Sequence, residues 1–446
     1  MSPKLAYILP WALLAMAGCS HRLERHDIRD VTSLKQDCQA YLDPATADNP
    51  LIDHARQAKL NDDFRRQWTR PWDPQCAPPS AADVQRPFSD LAAKPGYAEN
   101  LLPHPASFAV QLAAVVGLGD YPNCISRAIT TRNTSLRQLP TGRPRFEQVG
   151  QAGEGFPFDS LQESALWAGT PLLVCHASTD GLWVFVDSPC GSGWVLRQDV
   201  AELDEQSLRQ YQQSPLVALI RDNVAVTDSA TGALLFSTHM GAVFPMVSDQ
   251  AEGLEVLAPA RDIGGKAVLR RAVLSKSQAV VIPLAPTPAN IAKLANRMLG
   301  QPYCWGGMFE GRDCSATTRD LMTPFGIWLP RNSLGQAQAY RSRPLKNMSG
   351  DQKQRLIIEE GVPFLTLVRL PGHIALYIGS VDGRAIIMHN FWGVRTRSRG
   401  VEGRKIVGGC VITTLQPGFE LPDLDQPRDY RDRIESIVFI GGVDRH

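Results

Sequence analysis

The sequence predicts a multidomain chain in which an α+β domain of catalytic size is preceded by two small β-barrels and a mainly helical N-terminal region. Three observations carry this reading. The 446 residues exceed one ordinary domain and suit roughly three or four, each able to bury a core. At Tyr121 the texture changes from apolar residues at helical spacing to short β-rich runs broken by Gly, Pro, Asp and Ser. At Pro283, Pro286 and Pro288, closely spaced prolines resist both helix and sheet interior and mark a linker. The expected boundaries are a leader over 1–19, the helical region over 20–120, the barrels over 121–203 and 204–282, and the α+β domain over 283–446.

The leader has Lys4 near its start, an apolar stretch from Leu5 to Ala17 that is too short to span a bilayer, and then Ala17-Gly18-Cys19-Ser20. Small residues before a cysteine resemble a lipoprotein signal. Cys19 is then expected to become the lipidated first residue of a periplasmic protein held to the membrane through that anchor alone. Ser20, in place of an aspartate, favours the outer membrane by the usual bacterial sorting pattern. Lysine plus arginine (46) and aspartate plus glutamate (45) nearly cancel with no run of like charge, so nucleic acid is not an expected partner. Eight further cysteines contain no C-x-x-C pair and no Cys/His cluster at zinc spacing, so no metal site is expected. Cys38 with Cys76, and Cys175 with Cys190, are open to two readings, disulfides or small buried thiols.

Along the helical region, Ile52 to Trp68 and the apolar run Ala106 to Leu118, closed by Gly117 and Gly119, have helical spacing. The region is expected to wrap on something larger. Strands follow at Thr170–Val174, Leu182–Val186 and Gly193–Val195, with Ser178-Thr179-Asp180-Gly181 as the first turn. Short strands at close spacing imply a small barrel. A second set comprises Leu216 to Thr227, a turn at Ala230-Thr231-Gly232, Ala233 to Ser237, and Gly241 to Met246. Past the linker, Thr287 can cap a helix with Pro288 in its first turn, and Gly300 can end it. Helices are expected near Asp313–Leu321 and Asp351–Glu360, and strands at Phe364–Val368, Ile374–Ile378, Ala385–His389 and Val411–Thr414.

The chemistry is concentrated in this last domain. Asp313-Cys314-Ser315 opens a helix, where backbone N–H groups and the helix dipole favour a thiolate. A nucleophilic thiol needs a base and a group to orient it. His373 starts one predicted strand and His389 ends the next, so antiparallel pairing through Asp382-Gly383 sets both at one sheet end.

Five motifs in order carry a resemblance: Tyr303-x-Trp305-Gly306-Gly307, Asp313-Cys314-Ser315, Leu329-Pro330-Arg331-x-Ser333, Gly372-His373-Ile374-Ala375-Leu376-Tyr377-Ile378-Gly379, and the strand ending at His389. The last ~160 residues resemble the NlpC family of papain-like cell-wall cysteine peptidases. Trp167-Ala168-Gly169-Thr170-Pro171, Asp180-Gly181-Leu182-Trp183 and Gly193-Trp194-Val195 resemble a bacterial SH3-like domain, and 204–282 a more divergent second one. The whole arrangement resembles multidomain γ-D-glutamyl-L-diamino acid endopeptidases. It departs from the pattern at Cys304, where a small residue is usual.

The resemblance implies Cys314 as nucleophile, His373 as base and His389 as its orienter, with no cofactor, and peptidoglycan stem peptides as substrate. The Cys314 N–H is one oxyanion donor and Tyr303 is either the second or a core aromatic. Trp305, Asp313, Ser315 and Arg331 are expected to line the substrate pocket. Asp313 suits a free L-Ala amine, or simply caps the helix; Ser315 and Arg331 suit a carboxylate. The loop Phe158-Asp159-Ser160-Leu161-Gln162-Glu163-Ser164 either walls off one end of the groove, Asp159 meeting substrate, or is a solvated loop. Competing readings are another papain-like activity (amidase or acyl transferase) and a non-catalytic wall-binding scaffold, which would lack nucleophile or base.

Overall fold

The computed structural model describes residues 27–151, 153–425 and 430–442, so the leader and Cys19 lie outside the described residues. The N-terminal region is helical and touches every other domain. Helix His54–Thr69 starts where the Asp53 carboxylate accepts the Arg56 N–H. Its Phe64 and Trp68, four residues apart on one face, pack against Leu216, Val243 and Ile282 of the second barrel and Trp328 of the C-terminal domain. Helices Ala81–Ala93 and Ser107–Val116 set Val84, Phe88, Leu91 and Phe108 on the first barrel's Leu161, Phe185 and Trp194. Asp30 accepts hydrogen bonds from the N–H and hydroxyl of Thr414 in the C-terminal sheet.

The first barrel is a seven-stranded sheet in the order Gln162–Leu166, Thr134–Arg137, Gly191–Leu196, Trp183–Ser188, Pro171–Ala177, Ser126–Thr130, Val200–Glu202. Leu136, Leu172, Val174, Val186 and Val195 fill it. In the second, Leu216–Leu219 and Val224–Thr227 are separate strands, because the Arg221-Asp222-Asn223 turn, with Asn223 at φ 55°, breaks the run expected from sequence. A hairpin of Leu254–Arg261 and Ala267–Leu274 completes that barrel.

The C-terminal domain has a six-stranded antiparallel sheet in the order Ser342–Pro344, Ser436–Phe439, Thr366–Leu370, His373–Val381, Arg384–Ser398, Val401–Thr414. Helix Cys314–Met322 lies across the His373 and His389 strands. Thr287 caps helix Pro288–Ala295 through the Asn290 N–H. The strand of His389 does not end there. It continues to Ser398 against Val401–Thr414, with charges paired across the hairpin (Arg395 with Glu402) and onto Asp425 (Arg397), a pattern too polar to read as strand from sequence.

All eight described cysteines are free thiols. Cys38 packs in the C-terminal domain's core and Cys76 at the first barrel's; Cys175 and Cys190 pack in different clusters of the first barrel, so neither expected pair forms. The barrels and the C-terminal domain meet at Arg312. Its five N–H donors are all used, by Asp320, by both oxygens of Asp222 in the second barrel, by Gln301 and by the Met240 carbonyl. The first barrel's Trp167 indole N–H donates to the same Asp320.

Candidate active site

Cys314 is the first residue of its helix, and Asp313 is the N-cap, accepting from the Ala316 N–H at 2.9 Å. The two carboxylate oxygens of Asp313 are saturated. Oδ1 also takes the Ser315 hydroxyl (3.1 Å) and Arg331 Nη1 (3.1 Å); Oδ2 takes Arg331 Nη2 (2.7 Å) and the Gly306 N–H (3.2 Å). Burial alone would raise this carboxyl's pKa, but Arg331 and the hydrogen bonds hold it below the usual carboxylate range. The expectation of a free Asp313 carboxylate for a substrate amine is corrected: Asp313, Arg331 and Ser315 bind one another.

Cys314 is 7% exposed and packs in the C-terminal domain's core. Burial, then the charge of Asp313, pushes its thiol up to about 12, against the Ile374 and Ser315 N–H groups and Arg331, which favour the thiolate. The sequence expectation of a thiol lowered by the helix start is therefore corrected, because desolvation outweighs the helix N–H groups in this site. The Ile374 N–H lies close enough to the sulfur to favour its thiolate, so the start of the His373 strand stands beside the nucleophile.

His373 Nε2 is 3.0 Å from His389 Nδ1, and the two rings meet edge to face. Burial, then Arg433, lowers the His373 imidazole to about 3, with Asp313 opposing; burial and His373 lower His389 as well. Burial thus disfavours both a free thiolate and a free imidazolium in the resting site. Two further residues join the pair: the Tyr430 hydroxyl, 3.0 Å from His389 Nδ1, and Thr413 Oγ1, 3.1 Å from His389 Nε2. Neither was among the sequence candidates. Thr413 falls in a predicted strand with no mark of chemistry, and Tyr430 in an Asp/Arg-rich stretch without periodicity.

Tyr303 stands near the nucleophile: burial, then Cys314, pushes its phenol well above the ordinary value. Its ring, with those of Trp305 and Trp392, surrounds Phe158 of the first barrel at centroid distances of 6.4, 5.2 and 5.9 Å. The barrel's edge continues inward to Ser164, whose hydroxyl accepts from Arg331 Nε at 2.8 Å. This approach requires glycine in the intervening loop, since a Cβ on Gly306 or Gly307 would lie 2.5 Å from backbone atoms of Gln162 or Ala165. Asp159 does not face the groove. It is 1% exposed and bound by Arg137 and the Arg145 and Leu161 N–H groups, so its side chain organises the loop while its carbonyl accepts the Trp305 indole N–H. Cys304 is accommodated because its sulfur occupies the space a side chain at Gly311 would need. Among the described residues no group of three His, Cys, Asp or Glu side chains could hold a metal ion.

Residues 300–399 match the NlpC/P60 family, 144–196 an SH3 domain of SH3b1 type, 204–251 an SH3 domain of SH3b2 type, and 6–121 the N-terminal NLPC_P60 stabilising domain. No curated protein matches. Among solved structures, an NlpC/P60 endopeptidase from Photobacterium damselae subsp. piscicida is 26% identical, with a TM-score of 0.84 over 92% of this chain and 98% of that one. An NlpC/P60 family protein from Bacillus cereus ATCC 10987 is 16% identical, with a TM-score of 0.47 over 71% of this chain and 99% of its own. The chain thus carries an NlpC/P60 domain, the cysteine-peptidase domain of peptidoglycan hydrolases, behind an N-terminal stabilising domain and two bacterial SH3 domains.

Proposed function

We propose that this protein cleaves the bond between γ-D-Glu and the diamino acid of stem peptides whose L-Ala amine is free, in the periplasm and anchored through a lipid on Cys19. One observation carries the choice of substrate: the first barrel is seated on the residues that flank the nucleophile, with Ser164 on the Arg331–Asp313 pair and Phe158 among Tyr303, Trp305 and Trp392. A groove stopped there accommodates a short acyl side and excludes a sugar attached to L-Ala. Exclusion by the barrel, rather than a free Asp313 carboxylate, supports the selection. Arg331 uses four of its five N–H donors on Ser164, Asp313 and Ser315, which leaves one for the α-carboxylate of D-Glu.

In this reading the Cys314 sulfur attacks the γ-carbonyl while His373 accepts the thiol proton. The two events are coupled because burial disfavours both the free thiolate and the free imidazolium. The oxyanion is met by the Cys314 N–H and the Tyr303 hydroxyl. His373 returns the proton to the leaving amine as the C–N bond breaks; water, deprotonated by His373, then cleaves the thioester and restores the thiol.

The test is incubation with L-Ala-γ-D-Glu-diamino acid peptides, free, N-acetylated or still joined to muramic acid, followed by mass analysis. Release of L-Ala-γ-D-Glu, with kcat/KM at least about tenfold higher for the free amine, is expected. Values within threefold would mean an open groove and an enzyme of intact wall. Release of the whole stem from the sugar would mean an amidase.

A further inference from the structure

We propose that Thr413 is a positioning residue that sets the tautomer of both histidines, so that the proton-free nitrogen of the pair is His373 Nδ1. This rests on the reading of Cys314 and His373 as nucleophile and base. The Thr414 carbonyl oxygen can only accept a hydrogen bond. The Thr413 hydroxyl donates to the Thr414 carbonyl at 2.8 Å, so its oxygen has no hydrogen left for His389 and must accept from His389 Nε2–H at 3.1 Å. A neutral imidazole protonated on Nε2 is bare at Nδ1. His389 Nδ1 is therefore an acceptor, and both groups 3.0 Å from it are donors: His373 Nε2–H and the Tyr430 hydroxyl. His373 is then protonated on Nε2 and basic at Nδ1, the nitrogen not engaged by His389.

The direction of the whole relay is thus dictated from the far edge of the sheet. Thr413 is fully buried and His389 is 1% exposed, so no bulk water can replace a lost partner. Both Thr413 and Tyr430 lie beyond the residues matched by the NlpC/P60 family, 300–399. Removing the Thr413 oxygen leaves His389 Nε2–H without an acceptor. The imidazole then gains by moving its proton to Nδ1, where it opposes the His373 Nε2–H and drives that ring to the tautomer with no base at Nδ1. Burial disfavours the charged form of both rings, so the Thr413 contact acts on the choice of tautomer.

The experiment uses the full-length protein labelled with 15N-histidine, with two-bond 1H–15N correlations reading which ring nitrogen carries the proton. Nε2–H on both His373 and His389 is expected, and Nδ1–H on either would overturn the proposal without any variant. Thr413→Val, nearly isosteric, should lower kcat about a hundredfold with KM little changed and switch the His373 pattern; Thr413→Ser, which keeps the oxygen, should stay within a few-fold of wild type with the wild-type pattern. Retained activity in a folded Thr413→Val, or loss with an unchanged His373 pattern, would overturn it. Activity persisting in Cys314→Ala would instead overturn the reading of the nucleophile, while the 15N pattern still decides the tautomer.

Discussion

Replacing Arg331 by methionine keeps much of the side chain's length and deletes the guanidinium. Asp313 then stays buried with the Gly306 and Ala316 N–H groups and the Ser315 hydroxyl, but with no counter-charge. Breaking a buried pair from one side costs about 3–5 kcal/mol. For a domain of this size, at about 2–4 °C per kcal/mol, unfolding should move down by roughly 6–20 °C. The pH dependence is diagnostic. In the native protein the Asp313 carboxyl lies below its unfolded value, so the stability it contributes is present above that value and is lost as pH falls through the folded one. In Arg331→Met, burial without a partner raises the folded value above the unfolded one, so this variant loses stability as pH rises. The deficit in Tm should be larger at pH 7.5 than at pH 5. The double variant Asp313→Asn/Arg331→Met, with neither charge left behind, should melt above Arg331→Met alone. A deficit below about 2 °C at both pH values, or strictly additive losses in the double variant, would refute the view of the pair as a mutually dependent buried unit.

Alkylation of Cys314 by iodoacetamide, followed by peptide mass analysis, should be slow at pH 7 and rise about tenfold per pH unit to pH 9, since burial holds the thiol neutral; a rate independent of pH would indicate a resting thiolate–imidazolium pair. Cys314→Ala and His373→Ala should each abolish hydrolysis, whereas His389→Gln should retain a measurable fraction of kcat because an amide oxygen can still accept the His373 Nε2–H; equal loss in His389→Gln and His373→Ala would contradict separate roles for the histidines. Cys19→Ala should remove acyl mass from the mature protein and its partition into detergent, and cleavage of the precursor downstream of Cys19 would refute lipidation.

What the sequence revealed of this molecule follows the range of the interactions concerned. The Asp313 cap, the Thr287 cap and the Gly117 stop are local, and each stands in the structure. The two histidines were legible because a hairpin with a turn at Asp382-Gly383 constrains them within 16 residues, and the structure brings them to 3.0 Å. Asp159 escapes a sequence reading because its carboxylate, in a loop, is claimed by Arg137 at the end of strand Thr134–Arg137, 22 residues away. The same holds for Asp313, whose partner lies 18 residues on in a loop, and whose cap and ion-pair roles share one pair of oxygens. The helix start at Cys314 favours the thiolate locally, and the depth of Cys314, a property of the assembled domains, opposes it.

Arg312 stands two residues before the nucleophile and spends every donor on groups drawn from the catalytic domain and the second barrel, while Trp167 of the first barrel joins it at Asp320. The peptidase domain of this chain is therefore not a transferable module. Cut free at the proline linker, it would carry an arginine with Asp222 and the Met240 carbonyl stripped away, immediately upstream of the residue whose placement decides turnover. Recombination that exchanged its barrels for others would have to supply a carboxylate and a carbonyl in the same two places. In a chain built this way the barrels and the active site form one structural unit, and a graft of either has to bring the groups that meet Arg312.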